Sequence, residues 1–319
     1  MGLAEYGMTM KRPVVLVVGA ASRDVTTQDP RGWRLGGAVM YVSLLLSRLG
    51  LDVWALVGVD RTAAKAHELE LLRETGAVVT LAALQSSPVF ENVEVAGGRR
   101  QRCLAICDPI ALAALPRAWT TGFDALVLAP VAGELDDTWA LLAGDGQGTT
   151  VAVGWQGLLR AMRSGSDVER IPPAPSAILR IAQLVLASRD DFAADVRVED
   201  LLPLLGPDAT LVLTAAEAGG EIVVRDPAAP GATLTSTYPA IPSDAAIDPT
   251  GAGDVFLAAI LAARMVPELA SEPGGPALLA AAAASLTVEA PGLSGVPDLE
   301  AVRRRMTRGG DLGGRRIIK

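Results

Sequence analysis

Residues 248–256 read Asp-Pro-Thr-Gly-Ala-Gly-Asp-Val-Phe, and this is the stretch of the chain best equipped to do chemistry. Gly251, Ala252 and Gly253 keep side-chain bulk away from the backbone, and the apolar run 257–265 that follows has helical character. A turn of this kind presents the N–H groups of Gly251, Ala252 and Gly253 at the positive end of a helix dipole, an arrangement that binds anions and phosphate in particular. Asp254 is anomalous there, because a carboxylate repels an anionic ligand unless it has a task. Accepting the proton of an attacking hydroxyl is one such task; capping its own helix is the structural alternative. In a chain this rich in glycine and alanine, the string 250–254 arises by chance with a probability of roughly 10⁻³.

Other chemistries are poorly supplied. The 319 residues contain one histidine, His67, and two cysteines, Cys103 and Cys107. A Ser-His-Asp triad would have to use His67, and no G-x-S-x-G elbow partners it. HExxH zinc sites are excluded, and two cysteines four apart without further ligands read as small buried thiols of a reducing cytosol. None of the three lysines follows a glycine, so there is no Walker A loop. With 28 basic and 36 acidic residues the net charge is −8, which offers no surface for nucleic acid. A NAD-binding fingerprint fails as well, since Gly19 is not followed by the second and third glycines of G-x-G-x-x-G.

The elements that must position Asp254 follow from the apolar runs. Residues 14–18 form a β-branched strand buried on both faces, as in a parallel sheet. A helix at 38–49 ends at Gly50, and a strand follows at 53–57. The segment 62–75 reads as a helix whose polar face carries Lys65, Glu68 and Arg73, with His67 on the surface. Later strands fall at 125–129, 150–153, 184–187 and 210–213. The alternation predicts a parallel sheet flanked by helices. Two segments break it: the turn-rich 26–35, and 89–106, two β-rich runs around Gly97-Gly98 that signal a hairpin. Together they predict a small β appendage of the size of a lid. The most loop-like internal stretch is 165–175, and the Arg-rich 303–316 reads as a solvated helix end. Lys11-Arg12 before an apolar run loosely imitates a signal peptide, but the run is short and passes into Arg23-Asp24, so a core strand in a cytoplasmic protein is expected. No apolar stretch reaches membrane-spanning length.

Residues 248–256 resemble the C-terminal signature of the ribokinase-like (PfkB) carbohydrate kinases, D-x-T-G-A-G-D-x-F, with agreement at every fixed position. Gly36-Gly37 opening a helix that ends in Leu49-Gly50 is similar to the family's second signature, and Gly19 with Asp24 matches its strand–Gly–x4–Asp start. The resemblance implies a single domain over 1–319 with a three-layer α/β/α fold, a mainly parallel central sheet, and a β lid from about 26–35 and 88–107. It implies ATP with Mg²⁺, a monovalent cation as a further candidate, and transfer of the γ-phosphate to a hydroxyl of a small sugar, polyol, cyclitol or nucleoside.

The resemblance also assigns roles. Asp254 would be the base and the N–H groups of Gly251, Ala252 and Gly253 the anion hole. Asp24, Gly36, Gly37, Tyr41 and Asn92 would shape the acceptor side. Ser188, Asp191, Thr214, Gly219 and Thr250 would face ATP, with Asp191 and Asp248 holding magnesium through water. The chain departs from the pattern at Tyr41, usually Asn, where a ring face would suit a cyclic acceptor and core packing is the alternative. It departs also at Ser188 and Asp191, which stand in the N-x-x-E positions, and at Ala216, which replaces the first glycine of T-x-G-x-x-G. These departures keep open a silent, ligand-binding member acting as a sensor or interaction protein. An exposed lid edge offers a pairing surface for a homodimer.

Overall fold

The computed structural model describes residues 11–95, 98–144 and 148–313. Among them, one nine-stranded sheet runs in the spatial order Thr233–Tyr238, Gly220–Arg225, Thr210–Thr214, Leu184–Ser188, Thr150–Gly154, Ala125–Leu128, Val14–Ala20, Asp52–Val59 and Val78–Ala83. The last seven pair in parallel, and only the two strands at the Thr233–Tyr238 edge pair antiparallel. Every residue of Val14–Ala20 is buried, as a β-branched run with no polar face requires. The helices Ala38–Arg48, Ala252–Met265 and Gly275–Thr287 cover the sheet with alanine- and leucine-rich faces and complete the α/β layering.

The order of strands reverses at Val14–Ala20: the chain moves outward to Val78–Ala83 on one side and to Ala125–Leu128 and beyond on the other. Open α/β sheets bind ligands at such a switch point, outside the carboxyl ends of the strands. The crevice floor there is fastened by Glu134. Its carboxylate accepts the N–H groups of Ala20 at 2.9 Å and Ala132 at 2.8 Å, and also that of Val131. Burial pushes this carboxyl upward from its ordinary range, and the backbone donors oppose that shift.

A second, five-stranded sheet has the order Ser166–Asp167, Gly98–Ala105, Val89–Val95, Ser22–Val25 and Trp33–Gly36. It gathers the two segments that broke the sequence alternation, and adds two residues from the stretch 165–175 expected to be loop. Ser166 and Asp167 find backbone partners on Cys103 and Arg102, which no local pattern encodes. In the hairpin, Asn92 faces Gln101 and Phe90 faces Cys103, with Val95 opposite Gly98. Gly98, expected in the turn, is therefore the first residue of its strand, while Gly97 lies outside the described residues.

Three other expectations change. Residues 62–75 form a short 3-10 turn Ala63–Lys65 and a helix Glu68–Glu74, broken at Ala66 and His67. Glu68 leaves the polar face. It is buried, accepting Leu35 N–H at 3.0 Å and both guanidinium arms of Arg31 at 2.6 and 2.9 Å, and so anchors strand Trp33–Gly36 to the main body. In the helix Leu299–Gly313, Arg305 is buried, not solvated, and binds Glu289 at 2.8 Å and Ser285 at 2.6 Å. The tail from 314 lies outside the described residues.

Candidate active site

The turn before helix Ala252–Met265 is built by hydrogen bonds that its sequence supplies. Asp248 accepts the N–H of Thr250 at 3.0 Å and, through its other oxygen, that of Gly292 at 3.1 Å. The N–H groups of Ile247 and Asp248 both reach the carbonyl of Val288, at 2.8 and 3.0 Å. Gly251 then adopts φ +83°, left-handed geometry that favours glycine, and starts the helix as its N-cap. A Cβ on Gly251 would overlap the ring of the buried Tyr41, so the close approach needs glycine twice over. The next residues enter the first helical turn, where N–H groups lack intrahelical acceptors and carry the positive end of the dipole.

Asp254 stands in that first turn. Burial pushes its carboxyl up to about 7, Arg160 draws it down and Asp191 pushes it further up. A base tuned near neutrality can take a hydroxyl proton and release it again. Asp191 closes a capping box on the turn Arg189–Asp191, accepting Ser188 N–H at 2.9 Å while the Gln156 amide reaches its other oxygen at 3.3 Å. Ser188 thus ends strand Leu184–Ser188, and Asp191 lies just beyond it, where its charge acts on the Asp254 carboxyl.

Of the five residues expected on the acceptor side, Asp24, Tyr41 and Asn92 line one cavity of about 180 Å³, and Gly36 and Gly37 do not. The cavity is lined by Asp24, Arg34, Tyr41 and Asn92 on one side and Asp248 and Thr250 on the other. Asp24 lies opposite Arg34 and Phe90 in the second sheet, and receives the Ser22 hydroxyl at 3.3 Å. A Cβ on Gly36 would come within 2.6 Å of the Asp24 carboxylate, which explains a small residue there. Gly37 caps helix Ala38–Arg48 at φ +95°, pressed against the Ala20 carbonyl. Asn92 accepts the Gln101 amide at 3.1 Å on the same sheet face. Tyr41 is both things the sequence left open, a packed residue and a cavity wall.

Thr214 ends strand Thr210–Thr214, and the loop to Gly219 closes with Ala215 N–H on the Gly219 carbonyl at 2.7 Å. Gly219 takes φ +84° against the backbone of Tyr238 and Ala240. Ala216 takes φ +46°, alone among described non-glycine residues in having positive φ, at the position where the family pattern carries glycine. Sequence reasoning missed Arg160, Gln156, Arg34 and Gln28. Arg160 follows the strand at 150–154 by six residues and belongs to no motif; Arg34 is recognisable only once the strands 22–25 and 33–36 are paired.

With this geometry established, the comparisons are specific. Residues 163–299, which include the Asp254 turn, match the profile described as pfkB family carbohydrate kinase. Over the whole chain the fold is ribokinase-like. The chain shares its fold with a pyrophosphate-dependent kinase in the ribokinase family complexed with a pyrophosphate analog and myo-inositol, at TM-score 0.67 and 17% identity over 92% of this chain and 99% of that one. It shares it likewise with the Methanocaldococcus jannaschii nucleoside kinase, at TM-score 0.65 and 18% identity over 93% and 99%. The Arabidopsis thaliana ribokinase complexed with ribose and ATP gives TM-score 0.63 and 15% identity over 93% and 99%. No curated protein sequence matches the chain. The matched segment is thus that of carbohydrate kinases, and the fold is that of ribokinase-like kinases. No helix among the described residues is long and apolar enough to cross a membrane.

Proposed function

We propose that this kinase moves the γ-phosphoryl group of ATP to a hydroxyl of a small cyclic polyol or sugar. The observation that carries the reading is the shared cavity. Asp24 and Asn92, fit to bind vicinal hydroxyls, face the same space as Thr250, one residue before the anion-binding turn. Its volume of about 180 Å³ lies below the roughly 300–1,000 Å³ of sites for drug-sized ligands and suits a single ring better than a nucleoside. The myo-inositol held by the structurally similar pyrophosphate-dependent kinase is an acceptor of that size class.

In this reading Asp24 and Asn92 orient the acceptor, and Asp254 takes the proton of the attacking hydroxyl. The N–H groups of Gly251 and Gly253, joined by that of Ala252 once it leaves the Pro249 carbonyl 3.4 Å away, would carry charge on the transferred group. The second sheet closes over the acceptor as a lid and excludes water. Asp191 would hold a magnesium ion through water, and such an ion would supply positive charge against the donor phosphates. No cluster of three metal-ligating side chains occurs among the described residues. Asp248 is the weaker candidate, because both its oxygens already accept backbone N–H groups. A monovalent cation beside the loop 247–250 belongs to the same proposal.

A second donor, inorganic pyrophosphate, is favoured by one observation: the nucleotide-side loop carries Ala216 at φ +46° in place of glycine, and a neighbour in fold is pyrophosphate-dependent. The test is a matrix of acceptors (myo-inositol, other cyclitols, ribose, fructose, nucleosides) against ATP and pyrophosphate, followed by phosphorus NMR of products. Phosphorylation of a cyclitol or sugar is expected. Turnover of nucleosides alone, or no turnover in any cell, overturns the reading.

A further inference from the structure

Asn92 is the only asparagine in the 319 residues, and it faces the acceptor cavity. Two of its neighbours there are fixed in hydrogen-bonding sense: Asp24, as a carboxylate, only accepts, and Arg34 only donates. An amide can do either, so what Asn92 offers a ligand depends on which end of it is already engaged. The engaged end is the oxygen. Gln101 stands directly opposite Asn92 in the hairpin, and its side-chain amide donates to Asn92 Oδ1 at 3.1 Å. The flanking pair on the same face, Phe90 and Cys103, is buried at 2% and 0% exposure, so this face of the sheet is the one turned inward. With its oxygen held by Gln101, the Asn92 NH₂ group is what remains to address the cavity. That sense matches the carboxylate beside it. A vicinal diol that gives both its protons to Asp24 turns lone pairs, not protons, toward its other neighbours.

Gln101 is itself held from the far edge of its strand. Gly98–Ala105 pairs with Val89–Val95 on one side and with Ser166–Asp167 on the other. The Val168 N–H reaches the Gln101 carbonyl at 2.9 Å, and the Gly165 N–H reaches the Cys103 carbonyl at 2.7 Å. The Ser164 hydroxyl donates to the Leu104 carbonyl at 2.8 Å, and Arg100 lies 3.5 Å from Asp167. The stretch 164–168, which joins no motif of the site, therefore fixes the backbone from which Gln101 reaches Asn92.

We propose that Gln101 is a positioning residue for acceptor recognition: by occupying the amide oxygen of Asn92, it makes Asn92 a hydrogen-bond donor to the acceptor. The proposal deepens the acceptor reading above and rests on it. It narrows the ligand class to a cyclic polyol or sugar that offers a lone pair beside Asn92 and gives protons to Asp24. A carbonyl or ring oxygen can then replace the hydroxyl beside Asn92, and cannot replace those beside Asp24.

Three variants test it. Gln101→Met keeps length and removes the hydrogen bond, Gln101→Lys keeps donation, and Gln101→Glu can only accept. The probes are myo-inositol and its keto analogues, each with one hydroxyl replaced by a carbonyl, titrated by calorimetry. In the wild type, the ketone at one ring position should bind within about threefold of the parent, and Gln101→Lys should keep that ratio. In Gln101→Glu the Asn92 amide must turn its NH₂ to the carboxylate and its oxygen to the ligand, so that ketone should weaken about tenfold against the parent. Gln101→Met should raise acceptor Kd and KM roughly three- to tenfold, the scale of one neutral hydrogen bond, with kcat and donor KM within about twofold. Because Asn92 is the sole asparagine, ¹⁵N-asparagine labelling gives a single side-chain NH₂ signal pair. Its heteronuclear NOE should match ordered backbone in the wild type and Gln101→Lys, and fall in Gln101→Met. If the wild type does not bind myo-inositol, the choice of acceptor fails and the NH₂ signals alone decide Gln101. An unchanged NOE in Gln101→Met overturns the proposal, as does acceptor affinity within about twofold of wild type in that variant. So does a wild type that rejects the ketone at every ring position, or a keto-to-parent ratio that Gln101→Glu leaves unmoved.

Discussion

The ring of Tyr41 fills the space in which any side chain on Gly251 would have to stand. Tyr41 comes from the helix Ala38–Arg48 opened by Gly36-Gly37, and Gly251 caps the helix Ala252–Met265 that holds Asp254. The two glycine motifs, more than two hundred residues apart in sequence, are therefore one packed unit. A Gly251→Ala change meets both the ring and a left-handed φ of +83°. We expect it to cost about 2–4 kcal/mol, lowering Tm by roughly 5 °C or more. Gly253→Ala is the control. Its nearest neighbour would be Leu186 at 3.7 Å, so Tm should stay within about 2 °C.

Asp254→Asn keeps size and removes the base, so kcat should fall by about 10²-fold or more. In the wild type, kcat/KM should decline as pH drops below about 7, where the buried carboxyl gains its proton. Stability should respond in the opposite sense. The folded carboxyl holds its proton up to about 7 against an ordinary value of 3.8, so the contribution of this group is greatest below the lower value and is lost as pH rises to the upper one. Thermal melts should show the Asn variant more stable than wild type at pH 8, by about 3–8 °C, with the gain vanishing near pH 4.

Asp24→Ala removes a charged hydrogen-bonding group from the acceptor cavity and leaves the phosphate turn untouched. Loss of such a partner is worth about 1.5–3 kcal/mol, and acceptor affinity should weaken by roughly ten- to a hundred-fold. Donor affinity should stay within a few-fold. Calorimetry separates the two, and an unchanged acceptor affinity would make Asp24 a turn residue and move the pocket toward Tyr41 and Asn92.

Ala216→Gly should stabilise the protein. The left-handed conformation costs a residue with a Cβ about 1 kcal/mol that glycine does not incur, partly offset by the greater freedom of glycine in the unfolded chain. A Tm rise of about 1–3 °C is expected. If the methyl group also crowds a nucleotide, the variant should bind ATP more tightly and leave pyrophosphate affinity unchanged.

The parallel sheet was legible because strands buried on both faces leave continuous β-branched runs, and the 14–18 run needed only its ends extended to Val14–Ala20. The Asp254 turn was legible because helix-dipole chemistry demands small residues at fixed spacing. What escaped notice depends on long-range pairing. Glu68 looks like a surface residue on a helical wheel until Arg31 and Leu35 are brought against it. Ser166 and Asp167 become strand only beside Cys103 and Arg102. Arg160 carries no periodicity at all; its pull on the Asp254 carboxyl depends on a turn in which Gly157 meets Pro130 and Gln156 meets Asp191.

The second sheet draws four of its five strands from the first third of the chain, whereas Asp254 and the residues matched by the family profile lie in 163–299. In the proposed function, choice of acceptor and delivery of phosphate are thus written in separate stretches of the gene, joined in space across the cavity between Asp24 and Thr250. Recombination or grafting of residues 22–36 and 89–105 from a relative could re-address the enzyme to another alcohol while the phosphate-handling half stays as inherited.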